Sequence, residues 1–271
     1  MNSPSYRGIF PGIFTMGNVV CGFVALLSMA EGKVIAACWL VILAAFLDSL
    51  DGKVARLSKT TSQFGVELDS LADFLSFGVT PGLIVYMVKL ESLGTPGKII
   101  VIVYIMAAAF RLARFNLMAE TEEKRDFVGL PVPGAALTLI SFILFSYSLW
   151  GGLEYDEVLV AMIVLFAFLM VSQVQYDTMP DRVGSLRDRV KMGIVLALLL
   201  VVAVVFLITV FKGKRASETL PLLLFPLFSL YILFGMVREG YRLFFLGVNK
   251  VTSRVQARRD ANGGDGDNDD E

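Results

Sequence analysis

The sequence predicts an all-α integral membrane protein of about eight transmembrane helices, and three observations carry that expectation. Hydrophobic residues make up 56% of the 271 residues and charged residues only 18%. The mean hydropathy is +0.69, well to the apolar side of a soluble domain. The apolar residues gather into runs near the roughly 20 residues that a helix needs to cross the hydrocarbon layer. Finally, Lys and Arg fall unevenly on the two sides that alternating threading defines.

The runs lie at about 10–30, 34–57, 68–90, 99–119, 132–150, 157–174, 192–211 and 219–237. Pro11, Gly12, Gly17 and Asn18 interrupt the first, so its start can lie along the membrane surface. With the N-terminus inside, the outer loops hold Lys33, Lys89, Lys98, Lys212, Lys214 and Arg215, leaving 18 of the 24 Lys and Arg inside. That bias supports an even span count and a cytoplasmic N-terminus; the Lys212–Arg215 cluster is the one loop that resists it. No cleavable signal peptide is expected. Cys21 and Cys38 fall inside spans with no neighbouring thiol or histidine and read as small buried hydrophobes. Histidine is absent, which excludes a histidine-dependent hydrolase triad and leaves acid–base work to carboxylates, Lys, Tyr or a metal-bound group.

The expected organisation is a transmembrane domain over 1–237, a basic juxtamembrane segment over 238–260 and an acidic, solvated tail over 261–271. The two last spans, about 192–211 and 219–237, carry no internal charge and read as packing elements. Membrane lipids are the expected surroundings, and no nucleic-acid partner is expected.

Chemistry concentrates in Asp48-Ser-Leu-Asp51-Gly52-Lys-Val-Ala55-Arg56 and, eight residues later, Gly65-Val-Glu-Leu-Asp69-Ser-Leu-Ala-Asp73. At about 100° per residue, Asp48, Asp51, Gly52 and Ala55 share roughly a 100° arc, while Gly65, Asp69 and Asp73 stack at i, i+4 and i+8. Two adjacent antiparallel helices would each present a pair of carboxylates to a common crevice. Carboxylates near membrane depth are costly, and Arg56 and Lys59 can pair with at most two of the four. Hard divalent cations suit the remaining deficit, and two of them would neutralise the site while gripping a diphosphate. Glu67 points about 160° from Asp69 and is expected outside the site. The small residues Gly52, Ala55 and Gly65 fit tight helix packing, or the close approach of a ligand to the backbone.

The pattern D-x2-D-G-x2-A-R-x8-G-x3-D-x3-D, matched at all eight defined positions from Asp48 to Asp73, resembles the signature of the CDP-alcohol phosphatidyltransferases. The resemblance implies a six-helix core, here about 9–175, with the pair at 192–237 as an addition. It also implies a homodimer and two divalent ions, Mg²⁺ or Mn²⁺. Carried over, Asp48, Asp51 and Asp69 are metal ligands, and Asp73 is a ligand that also serves as general base. Gly52, Ala55 and Gly65 would line the cytidine pocket, and Arg56 would contact the diphosphate.

Phe110-Arg111-Leu-Ala-Arg114-Phe115-Asn116, Gly129-Leu130-Pro131-Val132-Pro133 and Phe14-Thr15-Met16-Gly17-Asn18 look like the phosphatidylserine synthase branch of that family. Val132 stands where a small hydroxyl residue is more often found. This implies CDP-diacylglycerol and L-serine as substrates and CMP as the leaving product. Arg111 and Arg114 share a helix face and could hold the acceptor's carboxylate or the diphosphate, or serve as positive-inside anchors. A sugar phosphate or glycerol phosphate would attract arginines equally. Phosphatidylglycerophosphate or phosphatidylinositol-phosphate synthesis is therefore the alternative within the family. A divalent-cation transporter is the alternative outside it, and it leaves the glycine, alanine and arginine spacing unexplained.

Overall fold

The computed structural model describes residues 9–58, 63–120, 127–172, 175–176, 220–233 and 235. Within these the chain is α-helical apart from one two-residue antiparallel pairing. The elements are α1 (Ile9–Ala30), α2 (Val34–Ser58), α3 (Gln63–Asp73), a π-helical turn (Phe74–Val79), α4 (Thr80–Val88), a 3₁₀ turn (Leu90–Leu93) and α5 (Thr95–Glu120). They continue with β1 (Phe127–Val128), α6 (Val132–Trp150), α7 (Asp156–Val171) and β2 (Gln175–Tyr176), and with a further apolar helix, α8 (Leu220–Leu233). Phe127 pairs with Tyr176 and Val128 with Gln175.

Among the described residues, five segments are long and apolar enough to cross a bilayer: Gly12–Ala30, Val34–Gly52, Phe64–Val88, Thr95–Met118 and Val132–Trp150. They coincide with the first five expected spans, and the third begins a turn earlier than its apolar run. This is an all-α membrane protein. The sixth expected span is α7, 16 residues long, and the eighth is α8. The expected span at 192–211 lies outside the described residues.

Pro133 sits where a helix tolerates it, in the first turn of α6, and Pro81 opens α4 directly after a wide helical turn, where its missing N–H leaves the Phe77 carbonyl without a helical donor. The buried core runs between the helices from Ala25, Ala37 and Cys38 through Phe77, Ile84 and Tyr104 to Leu139, Ile143 and Ile163. Outward faces carry large apolar side chains such as Phe46, Met106 and Phe168, as contact with hydrocarbon requires. Both cysteines are buried and unpaired, as expected. α8 lies against α6, where Phe225 meets Phe142 edge-on at 5.1 Å and Phe145 at 5.2 Å.

The third span is not a uniform helix. After Asp73 one wide turn interrupts the α-helical ladder, a feature common where a helix serves a site. Its carbonyls are taken up by hydroxyls: Thr80 Oγ1 donates to Leu75 O at 2.9 Å, and Tyr104 Oη donates to Phe77 O at 3.2 Å. α1 locks against this turn. Ser76 Oγ donates to Asn18 O at 3.0 Å, and Thr80 Oγ1, which donates to Leu75 O, also lies 3.3 Å from Gly22 O. The approach depends on glycine, because a Cβ at Gly22 would lie 2.3 Å from Ser76 Oγ and 3.0 Å from Ser76 Cα. Gly22→Ala is therefore expected to cost about 1–3 kcal/mol, read as a lowered unfolding temperature in detergent. An unchanged midpoint would mean that α1 is not held at this turn.

At the far end of the third span, about 24 Å along the axis from Asp73 at 1.5 Å per residue, Lys89 pairs with Asp156 at the start of α7. That hydrogen bond holds the Asp156 carboxyl below its ordinary pKa. Both residues fall in loops that the charge bias assigns to the outside, so the pairing agrees with the expected threading.

Candidate active site and metal centre

The C-terminal half of α2 and the end of α3 build the site. α2 brings in Asp48 from its C-terminal half, α3 brings Asp69 and Asp73, and one ligand oxygen from each of the three lies within 4.8 Å of the others. The i, i+4 spacing on α3 makes this possible, since it stacks Asp69 and Asp73 on one face toward α2. All three are half-buried. Among the described residues the ion pairs are Lys33–Glu31 and Lys89–Asp156, neither of them here. Three carboxylates in so small a volume, with no ion pair to them among the described residues, are a donor set for hard divalent ions, so the residues fit the expected metals.

Asp51 is placed differently. It is buried, and its Oδ2 accepts a hydrogen bond from Thr15 Oγ1 on α1. Its charge is still felt by Asp48 and Asp69, so it stands beside the trio and outside the 4.8 Å group. Gly52 follows it on an exposed edge, with open space where a Cβ would stand. Gly65 is half-buried at the start of α3. Ala55 and Arg56 occupy the last turns of α2, and their side chains lie outside the described residues. Glu67 is exposed, as its angular position required.

α1 supplies a polar stripe that spacing arguments on the aspartates could not find. Thr15, Asn18 and Gly22 follow at i, i+3 and i+7 and so share one face. Asn18 is fully buried and donates from Nδ2 to Asp73 Oδ1 at 3.4 Å. The available signal was the presence of Thr15 and Asn18 within an otherwise apolar run, because polar groups at membrane depth face partners and not lipid.

The two arginines of α5 part company. Arg111 is buried, and its electrostatic neighbours are Asp73, Arg114 and Tyr231 of α8. Its guanidinium lies 5.2 Å from the centre of the Phe115 ring. Arg114 instead reaches the C-terminal carbonyls of α7. Its Nη1 donates to Val171 O at 3.2 Å, and its Nη2 to Met170 O at 3.2 Å and Ser172 O at 3.3 Å. A cation on the last carbonyls of a helix is favoured by the aligned peptide dipoles. Gly129 makes the room: it has φ +86°, and a Cβ there would lie 2.5 Å from both Arg114 Nη2 and Met170 O. The Gly129-Leu130 step is also held by Leu130 N–H donating to Leu169 O at 3.1 Å. Asn116 and Ser70 complete the frame, with Asn116 Nδ2 donating to Ser70 Oγ at 2.9 Å and fixing α5 to the aspartate-bearing α3.

Relatives of known name share this chain's sequence. It is 34% identical to a CDP-diacylglycerol–serine O-phosphatidyltransferase of Helicobacter pylori over 247 residues, 90% of this chain and 97% of that protein. It is 32% identical over 169 residues to the Bacillus subtilis protein of that name, covering 61% of this chain and 88% of the relative. An archaetidylserine synthase of Methanothermobacter thermautotrophicus is 33% identical over 178 residues, 65% of this chain and 72% of its own length. The model of the CDP-alcohol phosphatidyltransferase family matches residues 8–174, a stretch that holds Asp48, Asp51, Asp69, Asp73 and both α5 arginines. With carboxylates from two helices converging where that family's signature places them, the chain belongs to the CDP-alcohol phosphatidyltransferase family.

Proposed function

We propose that this protein transfers the phosphatidyl group of CDP-diacylglycerol to the hydroxyl of L-serine, giving phosphatidylserine and CMP. The observation that carries the serine assignment is the match to a relative named CDP-diacylglycerol–serine O-phosphatidyltransferase along 97% of its length. The carboxylate cluster supports the transfer chemistry. Asp48, Asp69 and Asp73, with Asp51 beside them, would hold two divalent ions, Mg²⁺ or Mn²⁺. Bound there, the ions would neutralise the diphosphate and act on it as Lewis acids.

The chain's own groups do the rest. Asp73 takes the proton of the serine hydroxyl as its oxygen forms a bond to the lipid phosphorus, and the bond from that phosphorus to the CMP oxygen breaks. Asn18 and the wide turn after Asp73 fix the carboxylate's position. Gly52, Ala55 and Gly65 line the space for cytidine, Arg56 meets the diphosphate, and the lipid tails stay in the hydrocarbon. The site faces the cytoplasm, as the inner bias of Lys and Arg requires, and the protein works as a homodimer.

Arg111 is the better placed of the two arginines to hold the serine carboxylate, because it adjoins Asp73 while Arg114 is occupied by α7. Arg111→Lys is expected to raise the KM for serine and leave CDP-lipid affinity largely intact, since an ammonium cannot reproduce the planar fork of a guanidinium. Arg114→Ala should instead lower stability by about 1–3 kcal/mol through the lost carbonyl contacts, with the serine KM unchanged. Steady-state kinetics and thermal unfolding of the two variants check this division. The acceptor itself is tested by offering purified protein CDP-diacylglycerol with equal concentrations of serine, glycerol 3-phosphate and inositol phosphate. Phosphatidylserine is the expected product; phosphatidylglycerophosphate or phosphatidylinositol phosphate as the main lipid would overturn the serine assignment.

A further inference from the structure

Among the described residues, two buried side-chain polar atoms lack a hydrogen-bond partner: Asn18 Oδ1 and Arg111 Nε. Both belong to residues that adjoin Asp73, Asn18 by a hydrogen bond and Arg111 by charge. Asn18 is 0% exposed and Arg111 6% exposed, so neither atom is satisfied by open solvent. Buried polar groups are nearly always paired, and an exception beside a reaction centre marks where a ligand completes the set.

The two orphans have opposite character. One is an acceptor and the other a donor on a cation. An anionic acceptor such as a sugar phosphate would satisfy Arg111 but offer the Asn18 carbonyl oxygen only neutral hydroxyl donors, weaker than an ammonium. A zwitterion satisfies both, and in an α-amino acid the ammonium and carboxylate sit on a single carbon. The amide orientation follows from its neighbour: Nδ2 must face the Asp73 oxygen, because the flipped amide would set oxygen against carboxylate. The backbone of Asn18 is held in turn by the Ser76 hydroxyl at 3.0 Å.

We propose that Asn18 is a specificity-determining residue whose Oδ1 accepts a hydrogen bond from the ammonium of an α-amino-acid acceptor, while Arg111 meets the carboxylate and Asp73 the hydroxyl. This rests on the serine reading above and assigns the α1 helix a part in choosing the acceptor.

The test compares serine with 3-hydroxypropionate, which keeps the hydroxyl and the carboxylate and lacks the amino group. In Asn18→Leu, the ratio of kcat/KM for serine to that for 3-hydroxypropionate should fall about 10–100-fold, the worth of a hydrogen bond to a charged group. Any loosening of Asp73 affects both acceptors and cancels in the ratio. A ratio that stays within about twofold of the unaltered protein's, whatever the absolute rates, would overturn the proposal. A second measurement needs no variant. L-Alanine, with both charges and no hydroxyl, should compete with serine at least about tenfold more tightly than propionate does, and equal inhibition would also overturn it. If the unaltered protein makes no phosphatidylserine at all, the serine reading fails and this inference falls with it; if it does and the ratio holds, only this inference fails.

Discussion

Asp73→Asn is expected to slow phosphatidyl transfer by roughly 10²–10⁴-fold while binding of the CDP-lipid persists. The amide keeps an oxygen for coordination and can still accept from Asn18, but it cannot take the proton of the attacking hydroxyl. Of the aspartates, this is the one hydrogen-bonded to Asn18 of α1, and the one with Arg111 as an electrostatic neighbour. It is thus the carboxylate best placed between lipid phosphorus and acceptor. Single-turnover release of CMP, set beside CDP-diacylglycerol binding to the same protein, separates the two roles. Equal loss of binding and rate would mark Asp73 as a ligand alone.

The other large effect is expected from the metals. Chelation should abolish activity, and Mg²⁺ or Mn²⁺ should restore it. Asp48→Asn, Asp51→Asn and Asp69→Asn should each remove most activity, because every lost anionic ligand weakens a clustered divalent site and leaves diphosphate charge unneutralised. Asp48 and Asp69 should show it most directly, as members of the group whose ligand oxygens lie within 4.8 Å. Asp51 tests a further point, since its carboxylate is engaged by Thr15 and must share that contact with an ion. Metal titration against recovered CMP release is the measurement. Normal turnover by chelated protein, or by the Asp51→Asn protein, would sink the two-metal proposal.

The sequence by itself determined the membrane class, because apolar runs of span length can be satisfied only as helices in lipid. It also determined which aspartates could meet: the i, i+3 and i, i+4 gaps at Asp48, Asp51, Asp69 and Asp73 fix the face each carboxylate shares, whatever the helices pack against. What spacing cannot contain is which neighbour that face meets. Arg111 and Arg114 are equivalent on a helical wheel, yet one is buried beside Asp73 and the other caps α7. That choice was made by where α7 ends and by the space Gly129 leaves. Asp51 and Asp48 lie on one arc, yet Asp51 accepts from Thr15 while Asp48 joins the group whose ligand oxygens lie within 4.8 Å. The wide turn after Asp73 has one local signal, Pro81, whose missing N–H frees the Phe77 carbonyl, but what holds it is tertiary: Gly22 lets α1 close on Ser76, and Tyr104 reaches that carbonyl from α5. Local periodicity sets the direction of a side chain, and only the packing of distant helices decides its partner.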